Sequence, residues 1–146
     1  MKKLSLIAIT LFFATLASSQ VVSPVIVANG KLLGMNSGFS QTVFTPSQSG
    51  VYRVSVYLAV TAQGAGTASW SVAARWTDDA GREGGLASGF LLQVDDNQTP
   101  PKAGGQASRV IEATAGSPIV VDVRGAKPAD GSTINFYYVV EQLFVF

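Results

Sequence analysis

Residues 50 to 61 read Gly-Val-Tyr-Arg-Val-Ser-Val-Tyr-Leu-Ala-Val-Thr, and this stretch limits the possible folds more tightly than any other. Tyr52, Val54, Val56, Leu58 and Val60 are large and apolar, while the intervening positions carry Arg53, Ser55, Tyr57, Ala59 and Thr61. Successive side chains of a β-strand point to opposite faces, so a period of two supplies one face for a core and leaves the other mixed. The preceding Thr45-Pro46-Ser47-Gln48-Ser49-Gly50 has turn composition and gives the strand a defined start. A long strand buried on one side needs a second layer to cover it.

Turn signals cut the rest of the chain into short segments, none with a helical period. Val21 to Val27 is expected as a first strand, and Pro24 within it suits a sheet edge. Asn29-Gly30 then reads as a tight turn. Further strands are expected at Phe39 to Phe44, Ala68 to Thr77, Phe90 to Val94, Ser108 to Ala113, Ile119 to Arg124 and Thr133 to Phe146. Residues 63–66, 78–81, 114–118 and 128–131 are the connecting turns, and 95–105 is the longest loop. Within Ala68 to Thr77, Trp70, Val72, Ala74 and Trp76 share a face opposite Ser69, Ser71, Arg75 and Thr77. Eight to nine short strands without helices predict a single all-β domain, an antiparallel β-sandwich or barrel.

The start of the chain has a different character. Lys2 and Lys3 precede an apolar run from Leu4 to Ala17, followed by the small residues Ala17-Ser18-Ser19. That pattern is a secretory signal peptide over 1–19, leaving a domain of residues 20–146 that begins at Gln20; cleavage after Ala17 is the other option. The run is shorter than the ~20 residues a spanning helix needs. Export, to the cell surface, periplasm or medium, is the expectation. Without Lys2 and Lys3 the net charge changes from +1 to about −1, and the remaining Lys and Arg do not cluster. Nucleic acid is therefore not an expected partner. Only 17 of the 127 residues after position 19 are charged, which is sparse for a surface that faces only water.

Chemistry is constrained mostly by what is missing. The chain contains no His and no Cys, so neither a nucleophile–histidine system nor an ordinary zinc site can be assembled. Gly64-Ala65-Gly66 joins two expected strands and opens no helix, which is the wrong context for a phosphate loop. Nine acidic residues, mostly in turns, offer little for general acid–base work. The domain is expected to be non-catalytic, with no cofactor and no metal. Asp78-Asp79 and Asp95-Asp96-Asn97 could gather around Ca²⁺ if their loops met, but Asp and Asn also favour turns through local backbone bonds. Asn97-Gln98-Thr99 fits a glycosylation sequon and places that loop at the surface. Trp70 and Trp76 could form a sugar-stacking platform, making a carbohydrate-binding module an alternative, although their pattern suits a core better.

One set of residues points the wrong way for a monomer. Tyr57 and Ala59 face away from the Tyr52–Val54–Val56 side, and Tyr137 and Val139 face away from Phe136, Tyr138 and Val140. Contiguous apolar patches on an outer sheet face mark association surfaces, so these four are the expected subunit interface.

Phe44-Thr45-Pro46, a polar turn and Gly50-Val51-Tyr52-Arg53-Val54-Ser55-Val56-Tyr57 resemble the central strand region of C1q/TNF-like jelly rolls. There an aromatic, a proline and Gly-x-Tyr lead into a long inner strand. Ala115-Gly116-Ser117-Pro118-Ile119-Val120-Val121-Asp122-Val123, then a Gly-containing turn and an aromatic last strand, are similar in layout. Where that family ends in Phe, Ser, Gly, an aromatic and Leu, this chain has Phe136-Tyr137-Tyr138-Val139-Val140. The resemblance implies a jelly roll, a compact homotrimer with ligand recognition in its loops, and no catalytic residue. A small outer-membrane barrel is a further alternative, because Tyr138, Val140, Phe144 and Phe146 alternate at the end of the chain.

Overall fold

A computed structural model of the chain describes residues 23–62, 69–78, 80–81, 83–84, 92–95, 104–125 and 131–146. The expected leader lies outside them. The described strands are β1 (Val25–Met35), β2 (Phe39–Phe44), β3 (Gly50–Ala62), β4 (Ser69–Thr77), β5 (Glu83–Gly84), β6 (Leu92–Asp95), β7 (Gly104–Ala113), β8 (Ile119–Gly125) and β9 (Thr133–Val145). Every pairing is antiparallel. One sheet runs β1-β9-β3-β7; the other runs β2-β8-β4, with β5 and β6 both on the far edge of β4. This interleaving of early and late strands across two facing sheets is a jelly roll.

The alternation of residues 52 to 60 is realised in full along β3. Tyr52, Val54, Val56, Leu58 and Val60 are buried, while Val51, Arg53, Ser55, Tyr57 and Ala59 are at least partly exposed. Facing them from the second sheet are Trp70, Val72, Ile119, Val121 and Val123. Trp70 is 1% exposed, and its indole N–H donates to the Ser132 hydroxyl at 3.0 Å inside the core. Gly125 lies under that ring, where a Cβ would come within 2.6 Å of it.

Several elements depart from what the sequence predicts. Asn29-Gly30 is not a turn: β1 continues through it, with Asn29 opposite Val139 and Gly30 opposite Tyr138. Glycine is needed there because the Tyr138 ring occupies the place of a Cβ, at 2.6 Å. Pro24 precedes β1, and β1 is indeed an edge strand. β7 starts at Gly104, ahead of the expected Ser108, since pairing with β3 overrides the weak strand propensity of Gly104-Gly105-Gln106. The two-residue β5 has no counterpart in the sequence pattern. The expected turn at 114–117 is closed by Ser117 N–H to the Thr114 carbonyl at 3.2 Å, and Gly81 N–H bonds to the Asp78 carbonyl at 3.0 Å.

The two-sheet arrangement also corrects the outer-membrane barrel alternative. Barrels of that kind wrap an apolar band around a polar lumen. Here the described strands enclose an apolar interior between two separate sheets.

Candidate functional site

The outer face of the sheet β1-β9-β3-β7 collects the side chains that the core does not take. Strand register sets them in rows that cross all four strands. One row holds Ile26, Glu141, Arg53 and Val110; the next, Asn29, Val139, Ser55 and Ser108; the third, Lys31, Tyr137, Tyr57 and Gln106. Ala59 lies beyond them, opposite Asn135 and Gly104, and Val51 lies at the other end, opposite Phe144. All four residues expected from the sequence, Tyr57, Ala59, Tyr137 and Val139, are thus brought onto one surface.

Local geometry holds this surface in place. The Tyr57 and Tyr137 rings are cross-strand partners with centroids 5.9 Å apart and planes inclined by 42°. Ser55 and Ser108 share a hydroxyl hydrogen bond of 3.0 Å. An Arg53 guanidinium nitrogen donates to a Glu141 carboxylate oxygen at 3.3 Å. Between the tyrosines and the serine pair lies a shallow depression lined by Ser55, Tyr57, Gln106, Ser108, Tyr137 and Val139, among others. The charged residues of the described strands on this face, Arg53, Glu141, Lys31 and Glu112, balance to zero.

Sequence reasoning misses part of the patch. Ile26 is 59% exposed, Val110 56% and Phe144 50%, each more than Tyr57 at 45%. In the sequence pattern Ile26 is a strand residue ahead of a turn, and Val110 is part of a short strand. Their shared row with Arg53 depends on register between strands distant in the chain, which no local pattern carries. Phe144 follows a register shift in the β3–β9 pairing between Val51 and Tyr52, so its parity cannot be counted from Tyr137.

The outer face of the other sheet is dressed differently. Asp122 on β8 is buried between Ser40 on β2 and Arg75 on β4. Arg75 Nε donates to Asp122 Oδ2 at 2.5 Å and its Nη2 to Oδ1 at 3.1 Å, and the Ser40 hydroxyl also donates to Oδ1. The Arg75 hydrogen bonds hold the Asp122 carboxyl below the usual carboxylate range, with Ser40 and the charges of Arg75 and Arg124 adding to them against the opposing effect of burial. Both oxygens accept hydrogen bonds, so this carboxylate ties three strands together.

The remaining candidates resolve as follows. Trp70 lies inside the core, and Trp76 is half-buried beneath the Arg109 guanidinium, 5.1 Å from its ring. A Trp70–Trp76 sugar platform is therefore not what this strand presents. Asp79, Asp96, Asn97 and the sequon lie outside the described residues. Among the described residues, no three acidic side chains converge.

No family model matches the chain, and no curated protein matches it. Solved structures do. The chain is similar to one from the acidic stable capsid structure of Helicobacter pylori bacteriophage KHP30, with 20% identity over 84% of this chain and 89% of that one and a TM-score of 0.48. It is also similar to the structure of Eiger TNF from S. frugiperda, with 15% identity over 85% and 96% of the two chains and a TM-score of 0.38. Neither likeness bears on function.

Proposed function

We propose that this chain is an exported, non-catalytic jelly-roll module that acts by association, forming a homo-oligomer through the outer face of β1-β9-β3-β7. One observation carries the reading: large apolar side chains from all four strands stand exposed on a single outer face whose charges cancel. Such a patch is costly to leave in water and loses little charge solvation when covered. The sparse charge of residues 20–146 agrees with it. The C1q/TNF-like resemblance at Gly50–Tyr57 implies three copies and ligand recognition by the loops, whereas the strand register of this face suits two. A chain without His or Cys has few routes to nucleophilic chemistry, and the Asp122 carboxylate has both oxygens hydrogen-bonded. The Lys2-Lys3 start and the apolar run to Ala17 support export.

Expression of the full chain with recovery from the medium or cell envelope tests both parts. N-terminal sequencing should begin at Gln20, and light scattering should give an integer multiple of the subunit mass. A folded monomer at high micromolar concentration would remove the association reading. Retention of residues 1–19 inside the cell would remove export.

A further inference from the structure

We infer that the occupant of this face is a second copy of the chain, related by a two-fold axis that lies in the contact plane, parallel to the strands and midway between β3 and β9. The inference rests on the association reading above and adds its symmetry. It follows from the rows. Rotation about such an axis exchanges β3 with β9 and β7 with β1, but leaves position along the strands unchanged. Each row therefore meets its own reversed copy, with no freedom to slide.

Most positions suit that operation. In the first, Arg53 of one copy lies over Glu141 of the other, twice, and Ile26 lies over Val110. In the second, Asn29 meets Ser108 and Val139 meets Ser55. In the third, Tyr57 meets Tyr137 and Lys31 meets Gln106. Beyond them Phe144 covers Val51, with Glu112 of that row at the rim where β1 supplies no partner, and at the other end Ala59 covers Asn135. Aromatic and aliphatic groups mostly meet their own kind, and opposite charges meet at the centre. Twisted sheets pack face to face with strands about 30° apart, so the match is closest at the crossing point, at the Val139–Ser55 row. The Arg53–Glu141 and tyrosine rows on either side of it meet with a sideways offset that long side chains can span. A three-fold contact is heterologous and sets different patches against each other, so it has no such built-in matching.

The size is adequate. Four strands at ~4.8 Å spacing and about nine residues at ~3.4 Å make a face of ~19 by ~30 Å, so roughly 1,100 Å² in total is covered, above the ~1,000 Å² expected of a specific contact. The Arg53–Glu141 pairs also give a means of fixing orientation, since a slide by one row sets Arg53 of one copy over Val139 of the other.

The test uses charge exchange in the purified protein. Arg53→Glu gives a face with two acids at its centre, and Glu141→Arg gives one with two bases. Each variant alone should stay monomeric at concentrations where the parent associates, with affinity reduced at least about tenfold by like charges held together. An equimolar mixture should return to dimer mass, because both acids of the first variant then face both bases of the second across the contact. The double variant Arg53→Glu/Glu141→Arg should be dimeric by itself and shows that both substitutions are tolerated by the fold. Circular dichroism checks that each single variant is folded. A mixture that remains monomeric while its folded components do, or single variants that associate as well as the parent, would overturn the inference. A parent that is trimeric would overturn the two-fold and keep the association reading, whereas a monomeric parent would remove both.

Discussion

The two outer faces of this sandwich are built on equivalent sheets and have been given opposite treatments. On the β2-β8-β4 side, Ser40, Asp122 and Arg75 lace three strands together with hydrogen bonds, and Arg75 and Arg124 reach into solvent. On the β1-β9-β3-β7 side, tyrosines and branched aliphatics stand in rows around one central ion pair. The topology is indifferent to which face is wetted. Side-chain choice alone decides, and the contrast shows that a polar outer face was available to this fold and was used once.

The comparison can first be tested at its base, the core that both faces share. Replacing Trp70 with Ala removes the largest fully buried side chain and its bond to Ser132, and should cost about 3–5 kcal/mol, read as a lower urea midpoint. A shift below about 1 kcal/mol would mean that the two sheets are not held by this core. The polar face comes next. Asp122→Asn leaves the Arg75 guanidinium without its counter-charge and should cost about 1–3 kcal/mol near neutral pH with no change in oligomeric mass. Its pH dependence has a definite sign. Because the Asp122 carboxyl is held below its ordinary value, its contribution is complete above the unfolded value of about 3.9 and is lost as the pH falls through the lower folded value. The parent should therefore lose stability below about pH 4 more steeply than Asp122→Asn does. The apolar face should respond least in fold stability. Tyr57→Ser, at a side chain 45% exposed that pairs across strands with Tyr137, should lower the unfolding free energy of the dissociated chain by no more than about 1 kcal/mol while weakening association. An effect on folding as large as that of Asp122→Asn would erase the distinction between the two faces.

How much of this is legible in the sequence varies with the range of the interaction. The parity of Tyr52 to Val60 is a local property and is readable, as is the outward set of Tyr57, Ala59, Tyr137 and Val139. That Tyr57 and Tyr137 are direct partners depends on a register between distant strands, which turn chemistry and hydropathy do not encode. Asn29-Gly30 misleads because the same glycine that permits a turn also permits a close ring, and only the position of Tyr138 distinguishes the two uses. The Ser40–Asp122–Arg75 lacing leaves no trace, since an aspartate in an alternating strand looks like any exposed polar position. Its burial arises from neighbours on two strands distant in the chain.

The placement of β9 has a consequence for how the molecule comes into being. Residues 133–145 form an inner strand flanked by β1 and β3, so Val25 waits for Gln142 before it has a hydrogen-bonding neighbour. During synthesis the four-stranded sheet has a gap in its middle until residues 133–145 have emerged. Pairings of such long sequence separation close slowly, so completion of this sheet falls late in folding.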